Sequence, residues 1–77
     1  MRLILGAAFL RDVRARGLTY AELAQRADLD PATVSAAANG ASVNMATATR
    51  LARAIKEAPI VPELANWVGV QEPQNRD

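Results

Sequence analysis

Between Gly17 and Gly40 the chain carries start and stop signals for two short helices, spaced so tightly that little freedom is left in how they sit. "TYAE", residues 19–22, is a capping box. The Thr19 hydroxyl accepts from the Glu22 amide, and the Glu22 carboxylate reaches back to the Thr19 amide. Two of the amides that a helix start leaves without partners are thereby satisfied. That helix ends near Ala27. Asp30 caps the next one, and Pro31 takes its first position, where a missing N–H costs nothing. "NG" at residues 39–40 closes it, with Gly40 suited to a left-handed cap. The two helices, 19–27 and 31–38, are each too short to persist alone, so they must pack together. Ala24 and Ala27 let them approach closely, and Leu23, Leu29 and Val34 are placed to share one core.

The remaining segments also read as helices. Residues 3–16 carry Phe9, Leu10 and Val13 at helical spacing, and Gly17 ends the run. "ASVN" is a loop, and Asn44 caps a helix over residues 45–57. Its expected inward stripe is Ala48, Leu51, Ala52 and Ile55. Pro59 stops it, and Pro62 starts a fifth helix over residues 62–68. Residues 71–77, "QEPQNRD", read as a polar, disordered tail. Alanine, the strongest helix former, supplies much of the apolar content. No stretch alternates like a strand, repeats, or forms a long linker. The expectation is an all-α fold: a compact, single domain over residues 1–70 with four to five short helices around one core.

Composition removes several function classes. The 77 residues include no cysteine and no histidine, so the commonest general base and the usual soft metal ligands are missing. There are no paired carboxylates on a shared face and no glycine-rich phosphate loop. No catalytic role, metal or cofactor is expected. "MRLILGAAFL" has the look of a minimal export signal, but Arg11, Asp12 and Arg14 follow where a cleavage site should stand. The run is also far short of a membrane span. It is read as the buried face of the first helix in a cytoplasmic, non-membrane protein. Residues 1–58 hold an excess of three positive charges, whereas residues 59–77 carry a net charge of −2. That asymmetry permits a nucleic-acid partner for the first part without demanding one.

"GLTYAELAQRADLDPATVSAAANG", followed by "TRLARAI", resembles the lambda-repressor-like (Cro-type, xenobiotic-response-element-type) helix-turn-helix DNA-binding family over about residues 10–58. The resemblance implies double-stranded DNA as partner, with the helix at 31–38 in the major groove. It implies phosphate contacts at Thr19 and Tyr20, where the family often has glutamine in place of the tyrosine. Base-reading positions fall on Asp30, Pro31, Ala32, Thr33 and Ala36, and Asn39, Ser42 and Asn44 match a second backbone-contact patch. The small size of the chain suits a phage or mobile-element repressor. Many relatives place a charged pair at the positions of Val13 and Ala38. Here both are apolar, an exchange that is often neutral for stability. Asp30 and Asn39 also read as caps alone, and Tyr20 as a packed aromatic.

The departures from the pattern set the functional question. The exposed face of helix 31–38 has no Arg, Lys, Gln or Asn before Asn39, and those residues make the two-pronged base contacts. Thr33, Ser35 and the methyl groups of Ala32 and Ala36 remain. The loop after it brings no Lys or Arg, so few counterions would be released on binding. Three accounts fit. The helix reads thymine methyls and DNA shape; or weak contacts are multiplied in a dimer or larger assembly; or the alanine face docks a protein. Arg50, Arg53 and Lys56 form one basic stripe, facing phosphate, an acidic partner or only solvent. Ile60, Val61, Leu64, Trp67, Val68 and Val70 concentrate apolar groups near the end. They either close the core or form part of a homodimer contact.

Overall fold

In the computed structural model of the chain, residues 1–70 are described, with side chains through Trp67. The elements in order are β1 (Arg2–Ile4), α1 (Ala7–Ala15), α2 (Tyr20–Ala27), α3 (Pro31–Ala38), β2 (Ser42–Asn44), α4 (Met45–Glu57) and α5 (Pro62–Val70). The body is all-helical, with a minor two-stranded sheet. The tail expected at residues 71–77 lies outside the described residues.

Three successive helices end in the same way. At α1, Gly17 N–H donates to Arg14 O (3.0 Å) and Leu18 N–H to Val13 O (3.3 Å). At α2 the matching bonds run from Asp28 to Gln25 (3.3 Å) and from Leu29 to Ala24 (2.8 Å). At α3 they run from Gly40 to Ala37 (3.2 Å) and from Ala41 to Ala36 (2.9 Å). This closure needs a left-handed residue after the helix and turns the next apolar residue inward. Gly17, Asp28 and Gly40 supply positive φ of 67°, 59° and 96°. Leu18 and Leu29 pack on the core.

Gly17 has a second constraint. A Cβ built there would lie 3.1 Å from Leu64 Cδ1 of α5. Gly17→Ala is therefore expected to lower stability by about 2 kcal/mol, combining left-handed strain with a displaced leucine. A urea melt reads this directly, and an unchanged midpoint would contradict both the left-handed backbone at Gly17 and the close approach of Leu64.

The core is Val13, Leu23, Ala24, Ala27, Val34, Ala37, Val43, Leu51, Ala54 and Ile55. Leu23, Ala24, Val34 and Ala37 are wholly buried. Two of these four are alanines, which allows close approach of α2 and α3. Part of the alanine in α3 is thus explained by packing. Val13 is 2% exposed, so this position is filled by apolar packing, as its side chain implies.

The first and fourth helices depart from expectation. The helix expected over residues 3–16 begins only at Ala7, and residues 2–4 form β1 instead. The segment read as a loop contains β2. The strands pair antiparallel, with Arg2 opposite Asn44, Leu3 opposite Val43 and Ile4 opposite Ser42. A short apolar run is ambiguous between helix and strand; Gly6 lets α1 start late, and buried Val43 offers Leu3 a partner. On α4 the inward stripe is Leu51, Ala54 and Ile55, with Ala48 half-buried and Ala52 exposed. Position 54 completes the three-and-four spacing from Leu51, whereas position 52 is turned away.

α5 packs on α1. Val61 N–H donates to Ala15 O (2.9 Å) and Arg16 Nε to Ala58 O (3.1 Å), so the end of α1 is tied to the α4–α5 connection. The helix runs to Val70, two residues past the expected end. None of the helices is long and apolar enough to cross a membrane, among the described residues.

Candidate nucleic-acid interface

The α2–α3 unit is built from its caps outward. Thr19 Oγ1 accepts from Glu22 N–H (3.0 Å) and Glu22 Oε1 from Thr19 N–H (2.9 Å), so the capping box is complete. The Thr19 backbone amide bound to it, aided by the Thr19 hydroxyl and by Arg26, holds the Glu22 carboxyl below its usual value of 4.5. A group depressed in the folded state adds stability above its unfolded value. That stability is lost as pH falls through the lower folded value. An acid limb below about pH 4.5 is therefore expected in the stability profile. It should shrink in Glu22→Gln; an unchanged limb would assign it to other carboxylates.

The expected contact residues fall into three groups. At the start of α2, Thr19 is exposed, and Tyr20 is half-buried with its ring packed against the core. Arg14 of α1 lines an open groove with Leu18, Thr19 and Tyr20. Sequence order gave no sign of that cation, because α1 and α2 are joined through the Gly17 corner. On α3, Asp30, Pro31, Ala32 and Ala36 are exposed, and Thr33 and Ser35 half-buried. Asp30 Oδ1 accepts from Ala32 N–H (2.8 Å), the capping role. At the end of α3 and in β2, Asn39, Ser42 and Asn44 are exposed. Asn39 Nδ2 donates to Ser35 O (2.9 Å), and Asn44 Oδ1 accepts from Thr47 N–H (2.8 Å), capping α4. Several of these polar groups thus already serve the fold, each keeping further hydrogen-bonding capacity.

The electrostatics of this face are mixed. Glu22, Asp28 and Asp30 are exposed on the α2–α3 unit, and the sequence has no Lys or Arg between Arg26 and Arg50. Arg50 leans onto the α2–α3 turn. Its Nη1 donates to Asp28 O (3.2 Å) and lies 4.0 Å from Asp28 Oδ2. Both groups are solvated, so the pair positions the turn more than it stabilises it. No group of acidic residues suited to a metal occurs among the described residues.

The apolar end segment divides. Leu64 is half-buried beneath Gly17, which spends most of its surface on the chain's own core. Ile60, Val61 and Trp67 are 53%, 38% and 63% exposed. The side chains of Val68 and Val70 lie outside the described residues.

A helix-turn-helix family model matches residues 10–60, from the middle of α1 past α4. No match was found among curated proteins or among solved structures. With two thirds of its length covered by that model and its two capped helices crossing over one core, the chain belongs to the lambda-repressor-like helix-turn-helix family of DNA-binding regulators.

Proposed function

We propose that residues 1–70 act as one DNA-binding domain of a repressor of the phage or mobile-element kind. α3 enters the major groove, and the start of α2 and the Ser42–Asn44 segment lie along the phosphates. The observation that carries this reading is the α3 face itself: Ala32, Ala36 and Asn39 are exposed at helical spacing, while Val34 and Ala37 anchor the opposite side. Methyl groups at Ala32 and Ala36 suit thymine methyls, and Thr33 and Ser35 add hydroxyls. Such contacts read weakly, so shape and a second subunit carry much of the selectivity. The exposed Ile60, Val61 and Trp67 offer the surface for a two-fold dimer, whose half-sites would lie about one helical turn apart.

A second reading is favoured by the exposed acids of the α2–α3 unit. Glu22, Asp28 and Asp30 around a smooth alanine surface suit a protein partner as well. Salt separates the two. Binding to a duplex should weaken measurably as salt rises from about 50 to about 200 mM, with a slope set by the few cations at the interface. An apolar docking contact should hardly respond. Fluorescence anisotropy against a labelled duplex makes the measurement, and no binding even at low salt would favour the protein partner.

A further inference from the structure

We propose that Arg2 is a phosphate-contacting residue of the DNA face, brought to the Ser42 segment by the β1–β2 pairing. The inference rests on the reading above, in which that segment lies along DNA. The segment has no cation of its own. Pairing of β1 with β2 sets Arg2 opposite Asn44. Its guanidinium then grips Ser42 twice, with Nε donating to Ser42 Oγ (3.2 Å) and Nη2 to the Ser42 carbonyl (2.7 Å).

Both acceptors are neutral, so the charge of Arg2 is not matched. Arg16 has Asp12 at 3.7 Å and Arg50 has Asp28 at 4.0 Å, but Arg2 has no acidic partner among the described residues. A guanidinium has five N–H donors, and two are used here. The others remain on an exposed side chain. The two bonds to Ser42 already restrict its rotamers, so gripping a phosphate orders less than a free arginine would. The Ser42 oxygen accepts from Nε, which leaves its hydroxyl proton to donate to the same phosphate. A fixed, unmatched guanidinium beside a hydroxyl fits a two-pronged contact to a phosphodiester.

The test is the salt dependence of binding to a random-sequence duplex of about three helical turns. Arg2→Gln should reduce the log–log salt slope by about 0.9 per bound chain, and affinity by about eightfold at about 0.1 M salt. Arg2→Lys keeps the charge and should keep the slope while losing part of the affinity. Arg11→Gln removes the same net charge from the exposed side of α1, at a residue with no assigned contact, and should leave the slope unchanged. If Arg2→Gln and Arg2→Lys both weaken binding with the wild-type slope, Arg2 only holds the sheet and the proposal fails. It fails also if Arg11→Gln lowers the slope equally. If the unaltered protein shows no salt-dependent binding, the DNA reading falls and this proposal with it; binding with an unchanged slope in Arg2→Gln overturns this proposal alone. Urea midpoints check that the variants fold. Should Arg2→Gln unfold, Ser42→Ala is read instead: it removes one of the two bonds that hold the guanidinium, and the hydroxyl donor beside it, without removing the charge. Weaker binding at the wild-type slope is then expected, and wild-type affinity overturns the proposal.

Discussion

Leu23→Ala is expected to remove about 3 kcal/mol of folding stability. Leu23 is wholly buried where α2 meets the rest of the core, beside Ala24, Val34 and Ala37. Truncation takes away the transfer free energy of the buried carbons and leaves a cavity that rigid helix caps on both sides resist closing. A domain of this size has a total stability of only about 4–11 kcal/mol. With a urea slope of about 1 kcal/mol per molar, the midpoint should fall by roughly 3 M. Leu23→Met, similar in volume, should cost less than about 1.5 kcal/mol. A loss below about 1 kcal/mol for the alanine variant would mean that the site collapses freely, which the capped α2–α3 corner does not allow.

Ala36→Glu is expected to weaken DNA binding by about a hundredfold or more while leaving the fold intact. Ala36 is exposed on α3, one turn beyond Ala32. Glutamate is a good helix former, and a surface change of this kind usually alters stability by under about 0.5 kcal/mol. In the major groove, however, its carboxylate would face phosphates on both sides without a cation. Like charges so placed cost several kcal/mol, and each 1.4 kcal/mol is about a factor of ten. The neighbouring Ala37→Glu gives the contrast: that side chain is wholly buried, so the variant should unfold. Wild-type DNA affinity in Ala36→Glu would take α3 out of the groove.

The parts of the fold that could be read from the sequence are those fixed by neighbours in the chain. Thr19 with Glu22, Asp30 with Pro31, and Asn39 with Gly40 each act across a few residues, and the helices they bound follow from them. The sheet was not legible for the opposite reason. Each strand has three residues, too few to display alternation, and the partners lie forty residues apart. Asp28 was equally hidden, since its left-handed backbone does a glycine's work at the end of α2. On α4 the stripe read from the sequence ran through Ala52, whereas the seat of the helix on α2 and the sheet turns Ala54 inward instead.

The candidate interface was legible in outline and not in its charges. Which α3 residues point outward follows from helical period, and Ala32 and Ala36 are where that period puts them. The poverty of readers on that helix is a property of the sequence and persists in the fold. What the linear order concealed is where cations come from. Arg14 reaches the groove beside Thr19 and Tyr20 through packing of α1, and Arg2 reaches Ser42 through strand pairing. Those placements depend on tertiary contacts and leave no local mark.

In the proposed function, α3 presents its alanine face to the major groove of DNA. The most direct measurement is a selection of bound duplexes from a random pool at low salt, followed by sequencing. A two-fold motif is expected, with half-sites about one helical turn apart and rich in A·T pairs where the methyl groups sit. A pool that emerges without any enrichment would contradict it and turn the alanine face into a protein-docking surface.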